Sequence, residues 1–118
     1  TGKPKGIQMS HANFINAVAG VEDEQIINKN DVILQRTPVT FDMHLQDILG
    51  SLMLGACLVQ ILPGGDRNLN YISYVLEEYQ ITCLSTVPTV FSALVEHEPA
   101  IKHKLSTCRI LLSSGVYN

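Results

Sequence analysis

The sequence predicts an α/β fold in which short strands and amphipathic helices alternate around a mostly parallel, covered sheet. Three observations carry this. Apolar stripes at helical spacing take turns with short strand-like apolar runs. Glycine and proline punctuate the joints, at Gly55, at Pro63-Gly64-Gly65 and at Pro88. The 118 residues are 46% hydrophobic and only 16% charged, which is enough apolar material for one buried core.

Each element has its own signal. Ser10 is an N-cap candidate for a helix whose stripe is Phe14, Val18 and Val21, at i, i+4 and i+7. Glu22, Asp23 and Glu24 then face solvent. Asp31 leads into a strand over Val32 to Gln35, and Pro38 interrupts the segment after it. Asp42 opens a helix with Leu45, Ile48, Leu49, Leu52 and Met53 on one apolar face, and Gly55 stops it. Leu58 to Leu62 reads as a strand. Leu69, Ile72, Val75, Leu76 and Tyr79 mark the next helix, and Thr82 to Thr86 a strand. A helix from Pro88 carries Val90, Phe91, Leu94 and Val95, and Ile110 to Leu112 is the last strand. Strands separated by helices imply βα units.

Composition excludes several classes. With 8 Lys+Arg against 11 Asp+Glu, the net charge of −3 offers no basic surface for nucleic acid. Disorder is incompatible with the apolar content. The richest apolar stretch, Ile48 to Leu62, is broken by Gly50, Ser51, Gly55 and Gln60, so no membrane span is expected, and with no apolar run behind Thr1-Gly2-Lys3-Pro4-Lys5-Gly6 these residues are not expected to be a signal peptide. Cys57, Cys83 and Cys108 are too widely spaced for a zinc site or a disulfide framework, and read as small buried thiols of a reducing compartment. Thr1 at the start, and a terminal Ser113-Ser114-Gly115-Val116-Tyr117-Asn118 with no closing element, lead us to expect an excerpt of a longer chain.

The opening Thr1-Gly2-Lys3-Pro4-Lys5-Gly6 has the composition of a phosphate-binding loop. Its glycines let backbone N–H groups approach an anion, its lysines supply charge, and Thr1 adds a hydroxyl. On physics alone a solvated basic turn is favoured, and no Walker A pattern occurs.

Thr1-Gly2-Lys3-Pro4-Lys5-Gly6-Ile7, with Ser10-His11 and Asn13-Phe14 after it, resembles the second half of the signature loop of adenylate-forming enzymes. Phe41-Asp42, then Leu52, Leu54-Gly55-Ala56 and Leu58-Val59, resembles the Phe-Asp block of amino-acid adenylation domains. Ile81-Thr82 through Val87-Pro88-Thr89 resembles the strand and Pro-Pro-Thr turn that come next there, with Val87 in place of the first proline, and Ile110 to Gly115 resembles the next strand. The four blocks stand in family order. The resemblance implies that residues 1–118 are an internal part of the large N-terminal core subdomain of an adenylation domain of nonribosomal peptide synthetase type.

It further implies ATP-dependent formation of an aminoacyl-AMP with release of pyrophosphate, then transfer to the phosphopantetheine thiol of a carrier domain, in the cytoplasm. Thr1, Gly2, Lys3, Lys5 and Gly6 would hold the ATP phosphates. Asp42 would pair with the α-ammonium of the amino acid, and Met43, Gln46, Ser85, Leu112 and Ser114 would face its side chain. Helical spacing allows Asp42, Met43 and Gln46 to share a wall, and strand spacing gives Leu112 and Ser114 one face. Taken without the family, Asp42 is a helix N-cap. The Mg2+-binding Glu, ribose-binding Asp and mobile Lys of the family fall outside residues 1–118, so the segment alone is expected to be inactive and, with its sheet incomplete, prone to aggregate.

Other polar residues read as structural. His44 is expected to face solvent or a neighbouring loop, His11 to be structural, and His97 and His103 to be surface residues; Glu77 and Glu78 form a solvated face. Two rivals remain: an acyl- or aryl-CoA ligase of the same superfamily, whose substrate has no ammonium for Asp42 to meet, and a truncated product acting only as a binding or structural module.

Overall fold

A computed structural model describes residues 2–97 and 101–113, apart from the side chains of Lys102, Leu112 and Ser113. Its sheet has four parallel strands, β1 (Val32–Gln35), β2 (Cys57–Gln60), β3 (Cys83–Thr86) and β4 (Ile110–Ser113), in the order β2-β1-β3-β4. The register sets Ile33 beside Leu58 and Cys83, and Ser85 beside Leu112. The α/β expectation holds, and each predicted strand lies within two residues of its place.

Helix α1 (His11–Asp23) precedes β1. Its start is a reciprocal cap: Asn13 N–H donates to Ser10 Oγ at 3.2 Å, and Ser10 N–H donates to Asn13 Oδ1 at 3.1 Å. Val18 is buried and Glu22, Asp23 and Glu24 are exposed, as the stripe requires. Helix α4 (Leu69–Glu78) is capped by Asn68 and buries Ile72, Val75 and Leu76. Tyr79, predicted on that stripe, comes after the last helical residue and is 51% exposed. Helix α5 (Pro88–His97) buries Leu94, and α6 (Ile101–Lys104), too short to announce itself by periodicity, buries Ile101.

Strand alternation sends successive side chains to opposite faces, so two cores form. Leu34 and Leu84 meet Ile72, Val75, Leu76, Leu94 and Ile101 on the α4–α6 side. Ile33 and Cys83 meet Ile27 and Ala56 on the other. Each fully buried aliphatic side chain contributes about 1.5–3 kcal/mol relative to exposure.

The predicted helix from Asp42 is the largest departure. It is α2 (Met43–Leu45), one turn of π-helix at Gln46–Gly50, and α3 (Ser51–Leu54), ended by Gly55 at φ 73°. Its apolar stripe does not enter the core: Leu49, Leu52 and Met53 are 45–60% exposed and border an open groove with Met9, Phe14 and Ile15 of the α1 region. The sheet side of the segment is instead small and polar, with Asp47, Gly50 and Ser51 buried. Ser51 Oγ donates to the Asp47 and Ile48 carbonyls, groups that the widened turn leaves available.

The amino ends of the strands are bolted together. Asp31, 3% exposed, precedes β1 and accepts hydrogen bonds from the Asn28 N–H (2.8 Å), Thr82 Oγ1 (2.7 Å) and Arg109 Nε (2.8 Å). Arg109 Nη2 also closes on Asp31 Oδ2 and reaches the Ile26 carbonyl, while Nη1 reaches that of Gln25. Cys83 is buried as expected and Cys108 half-buried, but Cys57, the first residue of edge strand β2, is exposed. Among the described residues no helix is long and apolar enough to cross a membrane.

Candidate functional site

Strand order creates the site. The chain leaves β1 toward β2 on one side and leaves β3 toward β4 on the other, yet β1 and β3 are neighbours. The two departing connections diverge above their carboxyl ends, and a crevice opens there, where ligands of open α/β sheets bind. A cavity of about 230 Å3 occupies this place. Arg36, Thr37 and Pro38, just past β1, form one wall; Ser85, Thr86 and Val87, at the end of β3, form another; Phe41, Asp42 and Met43 close it ahead of the π turn.

Asp42, Met43 and Ser85 therefore line one cavity. Asp42 is exposed, and its side chain makes no capping hydrogen bond, so the N-cap alternative fails and the carboxylate is not engaged by its own helix. The reason is backbone shape: Asp42 is already helical, at φ −60° and ψ −30°, whereas a capping residue is usually extended. Gln46 is half-buried but not among the cavity-lining residues; it begins the π turn, where α-helical spacing no longer applies, and its Cγ lies toward Gly50. Leu112 is the cross-strand neighbour of Ser85 in β4. Ser114 and Thr1 lie outside the described residues.

Residues 2–6 are exposed and do not line the Asp42 cavity. Gly2 sits at φ 110°, open to glycine and strained for other residues, and a Cβ at Gly2 or Gly6 would meet nothing within 4 Å. Lys3 and Lys5 are also exposed. Of the histidines, His44 Nδ1 lies against the Phe41 carbonyl, the loop contact expected for it, and exposed His97 meets Asn70 Oδ1 at 2.9 Å. Glu77 and Glu78 are exposed, with Glu77 paired to Lys104 at 3.1 Å.

Two charged groups of the site were not anticipated. Arg36 contributes a half-buried guanidinium; its Nη1 approaches Thr86 Oγ1 at 3.4 Å, and among the described residues its buried Nε has no partner. Burial lowers its pKa, opposed by the charge of Asp66. Asp47, 3% exposed, accepts a hydrogen bond from Ser85 Oγ at 3.1 Å through Oδ1, while among the described residues no hydrogen bond of normal geometry reaches Oδ2. Burial raises its carboxyl pKa, with Thr37, Ser85 and His44 pulling the other way. The rule for strand carboxyl ends, applied to the two residues before Pro38, was the signal for Arg36. Asp47 gave none beyond an acid among apolar neighbours. Among the described residues no three His, Cys, Asp or Glu side chains gather to hold a metal ion.

Comparison with known proteins converges on one group. A family model described as AMP-binding enzyme matches residues 1–116. Indigoidine synthase of Dickeya dadantii is 36% identical over 111 residues, 90% of this chain and 7% of that protein. A mycosubtilin synthase polypeptide of Bacillus subtilis is 30% identical over 120 residues, 98% of this chain and 5% of that protein. The chain thus spans under a tenth of these curated relatives. The crystal structure of CmiS6 superposes with a TM-score of 0.87 at 31% identity, covering 99% of this chain and 28% of that one. The Vibrio cholerae adenylation domain AlmE superposes at 0.64 with 19% identity, over 90% of this chain and 24% of that one, a likeness of fold.

Proposed function

The chain belongs to the AMP-binding enzyme family, in its nonribosomal-peptide-synthetase-type adenylation branch, and we propose that residues 1–118 form the part of such a domain that receives an amino acid and the phosphates of ATP. The observation that carries this reading is the Asp42 carboxylate, unengaged by its helix, on the wall of the switch-point cavity. An ammonium entering that space needs a compensating charge, because leaving it unpaired in a partly dry pocket is costly.

In this reading the amino-acid carboxylate attacks the α-phosphorus of ATP. An acyl–O–P bond forms, the α–β phosphoanhydride breaks, and pyrophosphate leaves. The thiol of a carrier-domain phosphopantetheine then attacks the acyl carbon, giving a thioester and AMP. The chain's own residues contribute positioning and charge rather than a nucleophile. Asp42 holds the ammonium, Met43 and Ser85 bound the side-chain space with Gln46, Leu112 and Ser114 as further contributors, and Thr1, Gly2, Lys3, Lys5 and Gly6 hold the departing phosphates. The protein works in the cytoplasm, beside its ATP. Mg2+ belongs to residues elsewhere in the full-length protein, where the ion would offset charge on the phosphates.

Amino-acid-dependent ATP–pyrophosphate exchange by the full-length protein tests the assignment. Asp42→Ala raises KM for the amino acid about 10- to 100-fold, the equivalent of the ~1.5–3 kcal/mol of a charged hydrogen bond, with little change in KM for ATP. Lys5→Ala shows the reverse pattern. Equal effects of Asp42→Ala on both substrates contradict the ammonium role. Exchange stimulated by fatty or aryl acids and by no amino acid replaces this reading with the CoA-ligase one.

A further inference from the structure

The buried Asp47–Ser85 pair behind the cavity wall has no part in the reading above. Ser85 is 6% exposed and lines the cavity; Asp47, on the π turn, is 3% exposed. Their placement stems from the sheet. Ser85 lies two residues beyond Cys83 and so points to the same face, the one covered by the segment that carries Asp47. The Asp47 backbone is fixed in turn, its carbonyl accepting from Ser51 Oγ at 2.5 Å.

A serine hydroxyl has one proton and two lone pairs. The Ser85 proton goes to Asp47 Oδ1, the direction that an ionised carboxylate, which can only accept, enforces. What Ser85 turns toward the cavity is therefore an oxygen that accepts. Asp42, on the adjoining wall, is likewise an acceptor in its ionised form. A carboxylate held at 3% exposure is a destabilising feature, and a pocket for an apolar side chain would have no use for it.

Resting on the amino-acid-activating reading, we infer that Asp47 is a positioning residue that sets the polarity of Ser85, so that the cavity selects amino acids whose side chain brings an N–H or O–H donor. A substrate without a donor leaves the Ser85 oxygen desolvated and unpaired, and a site built for a hydrogen bond discriminates strongly against such analogues.

The test is ATP–pyrophosphate exchange by the full-length protein with the twenty standard amino acids. The best substrate is then compared with an analogue that keeps its acceptor and lacks its donor, a methyl ether for a hydroxyl or a methyl ester for an amide. The expected best substrate has a side-chain donor and exceeds its analogue at least about tenfold in kcat/KM. Asp47→Leu keeps the volume, removes the acceptor and frees the serine proton to turn toward the cavity. In that variant and in Ser85→Ala the preference falls to within about threefold of unity, through KM for the amino acid, with KM for ATP unmoved; loss of packing alone would shift both substrates together. An apolar best substrate, or a preference unchanged in Ser85→Ala, overturns the inference and leaves amino-acid activation standing. If Asp47→Leu does not fold, Asp47→Ala takes its place, and a donor preference unchanged in it overturns the role given to Asp47. Exchange with no amino acid overturns both.

Discussion

Arg109 and Asp31, 78 positions apart, meet through two hydrogen bonds of the guanidinium to the two carboxylate oxygens, joining the residue before β4 to the residue before β1. Thr82, before β3, donates to the same carboxylate and accepts from the Val32 N–H at 2.9 Å. Three strand origins thus share one buried acid.

Arg109→Ala leaves that acid with half of its charge-assisted partners. Because the Arg109 side chain is 38% exposed, the cost is set at about 2 kcal/mol, below the ~3–5 kcal/mol of a fully buried pair. Urea unfolding of the full-length protein and the variant checks this; unchanged midpoints would make the contact a surface ornament.

Asp31 and Asp47 give opposite pH signatures. Burial pushes the Asp31 carboxyl up, but hydrogen bonds from Arg109, the Asn28 amide and Thr82, with the Arg109 charge, outweigh it and hold it below its ordinary value. Its stabilisation is complete above about pH 4 and is lost as pH falls through the lower folded value. Asp47 is shifted upward by burial, so its unfavourable contribution is absent below about pH 4 and grows as pH rises through the higher folded value. The deficit of Asp31→Asn should shrink on acidification, whereas Asp47→Asn should improve relative to wild type from pH 4 to 7. Unfolding midpoints across that range that run parallel for both variants would reject this.

Gly65 is a packing glycine. A Cβ there would stand 2.6 Å from Tyr71 Cε1 and 2.8 Å from Ile61 Cγ2, so Gly65→Ala should cost about 1–3 kcal/mol by overpacking. In a Tyr71→Ala background the same change should cost much less, and a double-mutant cycle measures the coupling. Additive effects would show that the ring is not the obstacle.

The thiols should separate by reactivity. Exposed Cys57 should be labelled first by a disulfide reagent at neutral pH, and Cys57→Ser should remove that phase. Cys83, buried and with its thiol pushed up to about 12 by burial, should react only as the structure opens. Burial also raises the Cys108 thiol. A fast phase that survives Cys57→Ser contradicts the assignment.

What could be read in advance was what local chemistry determines. Ser10 caps α1 because its hydroxyl and Asn13 are three residues apart, and the strands showed themselves as apolar runs between turn residues. Asp42, Met43 and Ser85 were found through family resemblance, and the sheet then gave them a common cavity. The segment from Met43 to Leu54 misled because its apolar periodicity is real but faces an open groove, while small and polar residues meet the sheet; periodicity reports a face, not what lies against it. Asp31–Arg109 and Asp47–Ser85 are contacts between segments far apart in the chain, and no spacing rule reaches that far.

The divergence of connections above β1 and β3 has an engineering consequence. The loops that border the crevice can change while Leu34 and Leu84 go on packing beneath it, since the interior never depends on what the rim contains. Selectivity and scaffold are thereby separable: moving the stretch from Arg36 to Asp47 together with Ser85 is the smallest exchange that should transplant a preference intact.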